Sequence, residues 1–498
     1  MGVNQLINKT LSKIKLKEIT FFVVIVICSI LIPFLEFLNS NIQILDYILN
    51  KSFIFLIFSI SCFLLIFSSI FYIFLKKKIS FSNIILIVLT YYIFFFQHHA
   101  LKFSIINSGT LFISYAAEIS FLILLLISSF ISYFIFKKKI FFKRFLYIFF
   151  IILFSFNLLN FIKTSSDFKK DINYNNKKIL FEDKLNLKKE NIYFFILDAM
   201  GPIDKFDKYY NLNNDYFLNY AQKNNYTYFF DAKNFYESTD KNLSVIFHLD
   251  RIFDENGVNK YNGLYPSILR SNFPDPNLIF NLKNLGYQFK WVGNIFAYCY
   301  TVNLKYCLEK KNTFINPELY GAFLRKSPLI PSTIRLGKII GYDFKKNFSF
   351  KDNNGIFKIK KYLVENNFEF ISNKPTFYFI HHMSPHWPYI TDKNCNYTSK
   401  YPEKINFEGY KEAYLCNLKR IKGMINFLEI NDPNAFVVFQ GDHNWEMARS
   451  NEKYGDRKEI FSLIKINKNC KINRIAKNNL NNLNVLKSIF ECITGDKI

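Results

Sequence analysis

The chain has 498 residues, half of them hydrophobic and 19% aromatic, which leaves room for a membrane part together with a globular domain. Its formal net charge of +25, from 64 Lys and Arg against 39 Asp and Glu, does not mark a nucleic-acid binder. Lys is scattered among Asn and Ile along the whole length, as a bias toward AT-rich codons produces, with no arginine-rich helix and no base-stacking motif. Such a basic balance beside a membrane favours anionic lipid headgroups or acidic glycans instead.

Nearly unbroken apolar stretches crowd the first third, near 18–38, 53–75, 81–97, 111–136 and 141–162, and each is long enough to cross a hydrocarbon core. Lys9, Lys13, Lys15 and Lys17 precede the first, Lys76-Lys77-Lys78 follow the second, and Lys137-Lys138-Lys139 with Lys143-Arg144 follow the fourth. The loops near 39–52 and 98–110 are poor in positive charge. Because cytoplasmic loops collect Lys and Arg, the N-terminus is expected inside and everything after residue 163 outside. The first stretch is long for a signal peptide and lacks a small-residue cleavage site, so it is read as a span. Glu118 and the pair His98-His99 are the polar exceptions. An intramembrane acid is a functional candidate by default, and an interhelical hydrogen bond or a place at a headgroup entrance is the competing role.

Residues 163–190 are polar and charged and read as a juxtamembrane linker between a transmembrane helical domain, 1–162, and an outer domain, 191–498. In the outer domain strand-like and helix-like segments alternate. Asn277 to Leu285 is apolar at helical spacing, stops at Gly286 and leads into a strand from Tyr287 to Val292. Tyr414, Leu418, Ile421, Ile425 and Leu428 line one face of a helix that runs toward the turn Asn431-Asp432-Pro433-Asn434 and a further strand. Helices of this length between strands imply parallel crossovers, hence an α/β domain with a mainly parallel central sheet. Cys28 and Cys62 fall within spans. Cys299, Cys307, Cys395, Cys416, Cys470 and Cys492 all fall in the outer domain, an even number suited to an oxidising compartment. Sequence proximity pairs them as Cys299–Cys307, Cys395–Cys416 and Cys470–Cys492; without any C-x-x-C element a zinc cluster is the weaker explanation.

Several apolar runs end on, or lie beside, a polar side chain that can ligate a metal ion. Asp198 closes Ile192–Leu197, His381 closes Phe377–Ile380, Gly441-Asp442-His443 closes Ala435–Phe439, and Thr239 stands in Glu237-Ser238-Thr239-Asp240 just before another apolar segment. Ligand sites of open parallel sheets lie outside the carboxyl ends of the strands, so these residues are placed to converge on a metal ion. Taken singly each has an ordinary role: Asp198 as a helix cap, Thr239 as a loop threonine with Ser238 as a rival nucleophile, His381 as a satisfied core histidine, His386 as a turn cap, and His382 as packing on the opposite face. Asp204, Asp207, His248 and Asp250 lie near these motifs without spacing that raises them above surface or packing roles.

The set Asn191–Asp198, Asp215-Tyr216-Phe217-Leu218 with Phe235–Thr239, His381-His382-Met383-Ser384-Pro385-His386-Trp387-Pro388-Tyr389 and Gly441-Asp442-His443, in that order, resembles the motifs of sulfatase-like proteins of the alkaline phosphatase superfamily over roughly residues 190–490. The H-x-x-x-P-H-x-P-Y element is the most specific part. Spans followed by an outer catalytic domain also resemble the phosphoethanolamine transferases and lipoteichoic acid synthases of bacterial envelopes.

This resemblance implies that Asp198, Thr239, Asp442 and His443 are metal ligands, with Thr239 also the nucleophile, and that His381 and His386 bind substrate or protonate the leaving oxygen. Metal coordination lets a threonine hydroxyl attack phosphorus as an alkoxide. Mixed oxygen and nitrogen ligands suit one divalent ion, zinc or manganese. The implied protein is a multi-pass component of the bacterial inner membrane with its catalytic domain periplasmic or extracellular, moving a phospholipid headgroup to an envelope glycan or lipid. The alternatives are a phosphodiester or sulfuric ester hydrolase and a catalytically degenerate envelope-binding protein. Three departures limit the likeness. Ser238-Thr239-Asp240-Lys241-Asn242 lacks the Pro or Ala and the Arg of formylglycine sulfatases, Asp198 stands where the transferases usually have Glu, and Ala199 occupies the place of a second acid, which favours a single metal.

Overall fold

A computed structural model of the chain describes residues 3–41, 51–75, 78–107, 116–137, 140–172, 179–182, 189–254, 264–265, 267–269, 274–292, 306–308, 323–324, 326–327, 355–366, 374–401, 406–449, 455–466 and 480–495. The chain divides into two compact units, one of residues 1–169 with 314–342 and one of residues 170–313 with 343–498.

The first unit is helical: Val3–Asn41, Lys51–Leu75, Phe81–Phe96, His98–Asn107, Ala116–Phe136 and Ile140–Ile172. Four of these helices carry a segment long and apolar enough to cross a membrane, namely Ile19–Asn41, Phe53–Leu75, Ile119–Phe136 and Ile140–Ser166. The stretch at 81–97 differs from the other expected spans. Its helix has 16 residues and ends before the polar run Gln97-His98-His99; at 1.5 Å per residue it covers about 24 Å, less than a hydrocarbon core of about 30 Å. Gln97 Nε2 donates instead to Glu36 Oε2 at 2.7 Å. The long helices turn large apolar side chains outward, with Phe58 63%, Phe74 81% and Phe141 83% exposed, a surface suited to lipid rather than to water. Several of their hydroxyls are satisfied locally, as where Ser59 and Ser61 donate to the carbonyls of Phe55 and Ile57, which suits an apolar solvent. His98 is buried; the side chains of Glu118 and His99 lie outside the described residues.

Two features of this unit depart from the sequence expectation. The last helix continues to Ile172, so the expected linker from 163 begins as helix, in a stretch where Lys169-Lys170-Asp171 offer no residue that breaks one. Residues 314–342, far along the outer domain in sequence, group with the membrane helices. Phe323 is fully buried there, stacked on Phe34 with ring centroids 4.3 Å apart and in contact with Phe37 and Phe96.

The second unit is built on a six-stranded sheet: β1 (Ile192–Leu197), β2 (Thr227–Tyr228), β3 (Gln288–Val292), β4 (Thr376–His382), β7 (Phe436–Gly441) and β8 (Ser462–Lys465). The hairpin of β5 (Tyr389–Thr391) and β6 (Tyr397–Tyr401) stands apart. Strand order is β2-β8-β7-β1-β4-β3. The four strands β7, β1, β4 and β3 run parallel, and β8 is antiparallel to β7. β1 reads as a continuous apolar run because it is covered on both faces: Ile192, Phe194 and Ile196 enter one core, Tyr193, Phe195 and Leu197 the other. The helix Phe407–Asn431 covers the second face, its apolar positions Tyr414, Leu418, Ile421, Ile425 and Leu428 all buried. Asp432 at its end accepts from Asn191 Nδ2 at 2.8 Å and from the Tyr193 hydroxyl at 3.1 Å, fastening the start of β1.

Register places the site. Leu197 aligns with His382 on one side and with Gly441 on the other, so Asp198 and Asp442 leave neighbouring strands at the same level. Cys395 and Cys416 form a disulfide. Cys307 and Cys492 are also disulfide-bonded, whereas residues 299 and 470 lie outside the described residues. Cys28 and Cys62 are free.

Candidate metal centre

Asp198, Asp442 and His443 each offer a ligand atom, and these three atoms lie within 4.8 Å of one another. All three residues are at most 2% exposed. Asp198 follows β1, where its backbone N–H donates to the His382 carbonyl at 2.9 Å and so continues the ladder with β4. Asp442 follows β7, and its Oδ1 accepts from the backbone N–H groups of Ala199 at 2.9 Å and His443 at 2.8 Å. The β7 exit needs Gly441: a Cβ there would come 2.2 Å from the Met200 carbonyl oxygen.

The remaining oxygens behave differently. Asp198 Oδ1 and Asp442 Oδ2 are buried and have no hydrogen-bond partner among the described residues. A buried carboxylate oxygen left unpaired is costly unless a cation completes it. His443 Nδ1 donates to the Asn444 carbonyl at 2.7 Å, which leaves Nε2 as a bare lone pair. That atom is 3.7 Å from Asp198 Oδ1 and 3.6 Å from Asp442 Oδ2. Two unpaired oxygens and one imidazole lone pair this close together fit a divalent metal ion.

Thr239 begins the helix Thr239–His248, and its Oγ1 lies 3.2 Å from His443 Nε2. Neighbouring Ser238 Oγ is buried without a partner among the described residues. The two histidines of the H-x-x-x-P-H segment flank the cluster. His381 Nε2 is 3.4 Å from Asp198 Oδ2, and its Nδ1 is 3.2 Å from the hydroxyl of Tyr265, which accepts from Trp291 Nε1 at 3.3 Å. The Tyr265 hydroxyl thus bridges Trp291 and His381 behind the cluster, which His381 faces with Nε2. His386 donates its backbone N–H to the Asp198 carbonyl at 3.0 Å, and its ring centroid is 6.3 Å from that of His443. Burial by itself would raise the Asp198 carboxyl, yet the imidazoles of His386, His381 and His443 hold it down at about 2.

The structure thus brings Asp198, Thr239, His381, His386, Asp442 and His443 to one place, and it sends His382 to the opposite face of β4. Sequence reading missed the residues that hold the loops together. Asn234 Nδ2 and Asn242 Nδ2 donate to the Asp442 carbonyl at 2.7 and 2.8 Å. Buried Arg457 donates from Nε to the Glu237 carbonyl at 2.9 Å and accepts at its own carbonyl from the Asn444 N–H at 2.7 Å, tying the Thr239 loop to the His443 loop. Asn in a loop carries no signal of such a role; an arginine in the segment 450–459 carries one only when its burial is known.

No family model matches this chain, and no curated protein does. Among solved structures it is similar to the integral membrane lipooligosaccharide phosphoethanolamine transferase A from Neisseria meningitidis, with 12% identity over 95% of each chain and a TM-score of 0.42. It is similar also to the C-terminal periplasmic domain of EcEptC from Escherichia coli in complex with Zn, with 13% identity over 64% of this chain and 85% of that one and a TM-score of 0.39. For the lipoteichoic acid synthase LtaP from Listeria monocytogenes the values are 13% identity, 67% and 79% coverage and a TM-score of 0.35. At this identity and these scores the functional reading rests on the geometry of the site.

Proposed function

We propose that this protein is a membrane-bound metalloenzyme of phosphate esters, which transfers a phospholipid headgroup to an envelope glycan or lipid through a covalent intermediate on Thr239. The observation that carries the reading is the pair of buried, unpartnered oxygens, Asp198 Oδ1 and Asp442 Oδ2, beside the bare Nε2 of His443 and the hydroxyl of Thr239. In this reading those four residues hold one divalent ion. Such an ion, when bound, neutralises developing charge on phosphoryl oxygens and favours the ionised form of a hydroxyl beside it.

The chain's own residues supply the rest. Thr239 Oγ1 bonds to phosphorus while the bond from phosphorus to the lipid oxygen breaks, and the leaving oxygen takes a proton in exchange for the one Thr239 gives up. His381, whose Nε2 faces the cluster, and His386 beside it hold the phosphoryl oxygens and supply that proton in this reading. The acceptor hydroxyl then bonds to the same phosphorus, losing its proton as Thr239 regains one. Thr239 opens a helix, so free N–H groups of the first turn meet the anion at the site of attack. The apolar helices support a donor drawn from the bilayer, in the bacterial inner membrane, with the second unit on the outer side. Ser238 has a buried hydroxyl as well, but it lacks the contact with His443 that Thr239 makes, which favours Thr239.

Elemental analysis of the purified protein tests the centre: about one equivalent of zinc or manganese is expected, lost in Asp442→Ala. Incubation with headgroup-labelled phospholipids, followed by mapping of the label, tests the reaction. Label on Thr239 supports transfer. Turnover of soluble chromogenic diesters without lipid would replace transfer by hydrolysis, and a metal-free protein with unlabelled Thr239 would sink both.

A further inference from the structure

Tyr265 is buried behind the metal centre and touches both the helix that carries Thr239 and the strand that carries His381. Its backbone N–H donates to Ser244 Oγ at 2.8 Å, on the helix Thr239–His248. Its ring stacks on Phe247 of the same helix, with centroids 5.7 Å apart, and packs against Trp291 of β3 and Phe379 of β4. Register sets Trp291 opposite Phe379, two residues before His381, so all three side chains share one face of the sheet. A phenol ring packed by three other rings holds its hydroxyl at a fixed point.

That point is 3.2 Å from His381 Nδ1 and 3.3 Å from Trp291 Nε1. The hydrogens of this junction fit together in one way. An indole N–H only donates, so the phenol oxygen accepts from Trp291. The hydrogen of the phenol then needs an acceptor, and His381 Nδ1 is the one that its hydroxyl meets among the described residues. With a hydrogen on Nδ1, two donors would point at the phenol oxygen, and the phenol hydrogen would be buried with nothing to accept it, which native interiors avoid. With Nδ1 bare, every hydrogen of the junction is used. Burial holds the Tyr265 hydroxyl well above the usual phenol range, so the hydrogen it gives is present at any working pH.

The imidazole hydrogen of His381 then belongs on Nε2, the atom that lies 3.4 Å from Asp198 Oδ2 and faces the cluster. The hydrogen bond made by one ring nitrogen decides what the other presents. A bare Nε2 would turn a lone pair toward Asp198 and toward any phosphoryl oxygen bound there, whereas Nε2–H offers that oxygen a donor. We propose that Tyr265 is a positioning residue of the transfer reaction, its hydroxyl holding His381 in the tautomer that presents Nε2–H to a phosphoryl oxygen. The proposal rests on the reaction assigned to the metal centre, and it gives His381 the task of holding the phosphoryl group.

The test uses the full-length protein in detergent, loaded with zinc. Heteronuclear NMR of protein carrying nitrogen-labelled histidine reads the tautomer, with the His381 signals identified by their loss in His381→Gln. The parent is expected to show a protonated Nε2 and a bare Nδ1, and Tyr265→Phe a mixture of the two tautomers. In the labelling reaction with headgroup-labelled phospholipid, Tyr265→Phe is expected to slow the maximal rate at Thr239 at least about tenfold. The half-saturating lipid concentration is expected to change less than about threefold, because the contact acts on the transition state. In the His381→Gln background the same substitution is expected to cost less than about twofold, since Tyr265 acts through His381. A parent His381 with its hydrogen on Nδ1 overturns the proposal, as does an equal loss from Tyr265→Phe in both backgrounds, which is the mark of a packing role. Absence of label on Thr239 in the parent counts against the reaction, whereas the spectrum decides the tautomer by itself.

Discussion

Ala199 holds a left-handed backbone conformation at φ 61°, and from there its N–H donates to Oδ1 of Asp442 at 2.9 Å. A non-glycine residue in this region is strained by about 1–2 kcal/mol, and the strain falls on the residue that turns Asp198 toward the site. Ala199→Gly relieves it while adding about 0.5–1 kcal/mol of unfolded-chain entropy. The variant is therefore expected to match or slightly exceed the parent in thermal stability, whereas Ala199→Val is expected to lose more than about 1 kcal/mol. Denaturant unfolding checks both, and a clearly destabilised glycine variant would contradict the strain.

Metal removal is expected to destabilise the second unit, because two buried carboxylate oxygens would then face each other without a counter-charge. Asp442→Asn keeps an oxygen for the N–H groups of Ala199 and His443 and removes the charge. In chelator it is expected to melt no lower than the parent, and with zinc or manganese present the parent alone is expected to gain stability. Melting curves with and without metal distinguish this from a site that binds nothing.

Thr239→Ala is expected to abolish labelling and to reduce turnover by several orders of magnitude, as loss of a nucleophile does. Ser238→Ala is expected to keep most activity, since it is the Thr239 hydroxyl, not that of Ser238, that lies against His443 Nε2. Quantitative mass spectrometry of the labelled peptide compares the two. Label persisting in Thr239→Ala but vanishing in Ser238→Ala would exchange their roles.

His382 predicts a pH dependence of stability. Burial first, and then the Arg420 charge, depress its pKa from 6.5 to about 3, so the unfolded chain binds a proton that the folded chain refuses. Its contribution is fully present above about pH 6.5 and is lost as pH falls from there toward 3, by up to about 1.4 kcal/mol per pH unit. Denaturant midpoints measured between pH 7 and pH 4 for the parent and for His382→Gln should diverge in slope, the variant falling less steeply. Parallel curves would place the imidazole in contact with water.

Much of the second unit was legible because strand and helix leave different periods in a chain. The run Ile192–Leu197 ending on Asp198, the stop at Gly286 and the spacing Tyr414-Leu418-Ile421-Ile425-Leu428 are local facts, and local sterics and burial decide them. The membrane helices were legible from composition alone, apart from the short helix Phe81–Phe96, whose polar end is set by one Gln97–Glu36 contact between distant segments. The grouping of residues 314–342 with those helices had no such signal, because Phe323 looks like any apolar loop residue until Phe34 stacks on it.

What the sequence by itself determined is the inventory: which segments are apolar enough to be strands or spans, which polar side chains close them, and that carboxylate, imidazole and hydroxyl groups are among those side chains. Tertiary structure alone decided that Leu197 aligns with both His382 and Gly441, that Asn234, Asn242 and Arg457 clamp the loops around Asp442 and His443, and that His381 and His382 serve opposite faces of one strand. The physical reason is range. Periodicity and propensity act over a few residues and are written in the chain, whereas register, burial and the pairing of polar atoms are settled between segments hundreds of residues apart, where the lost partner of one group is found only by folding.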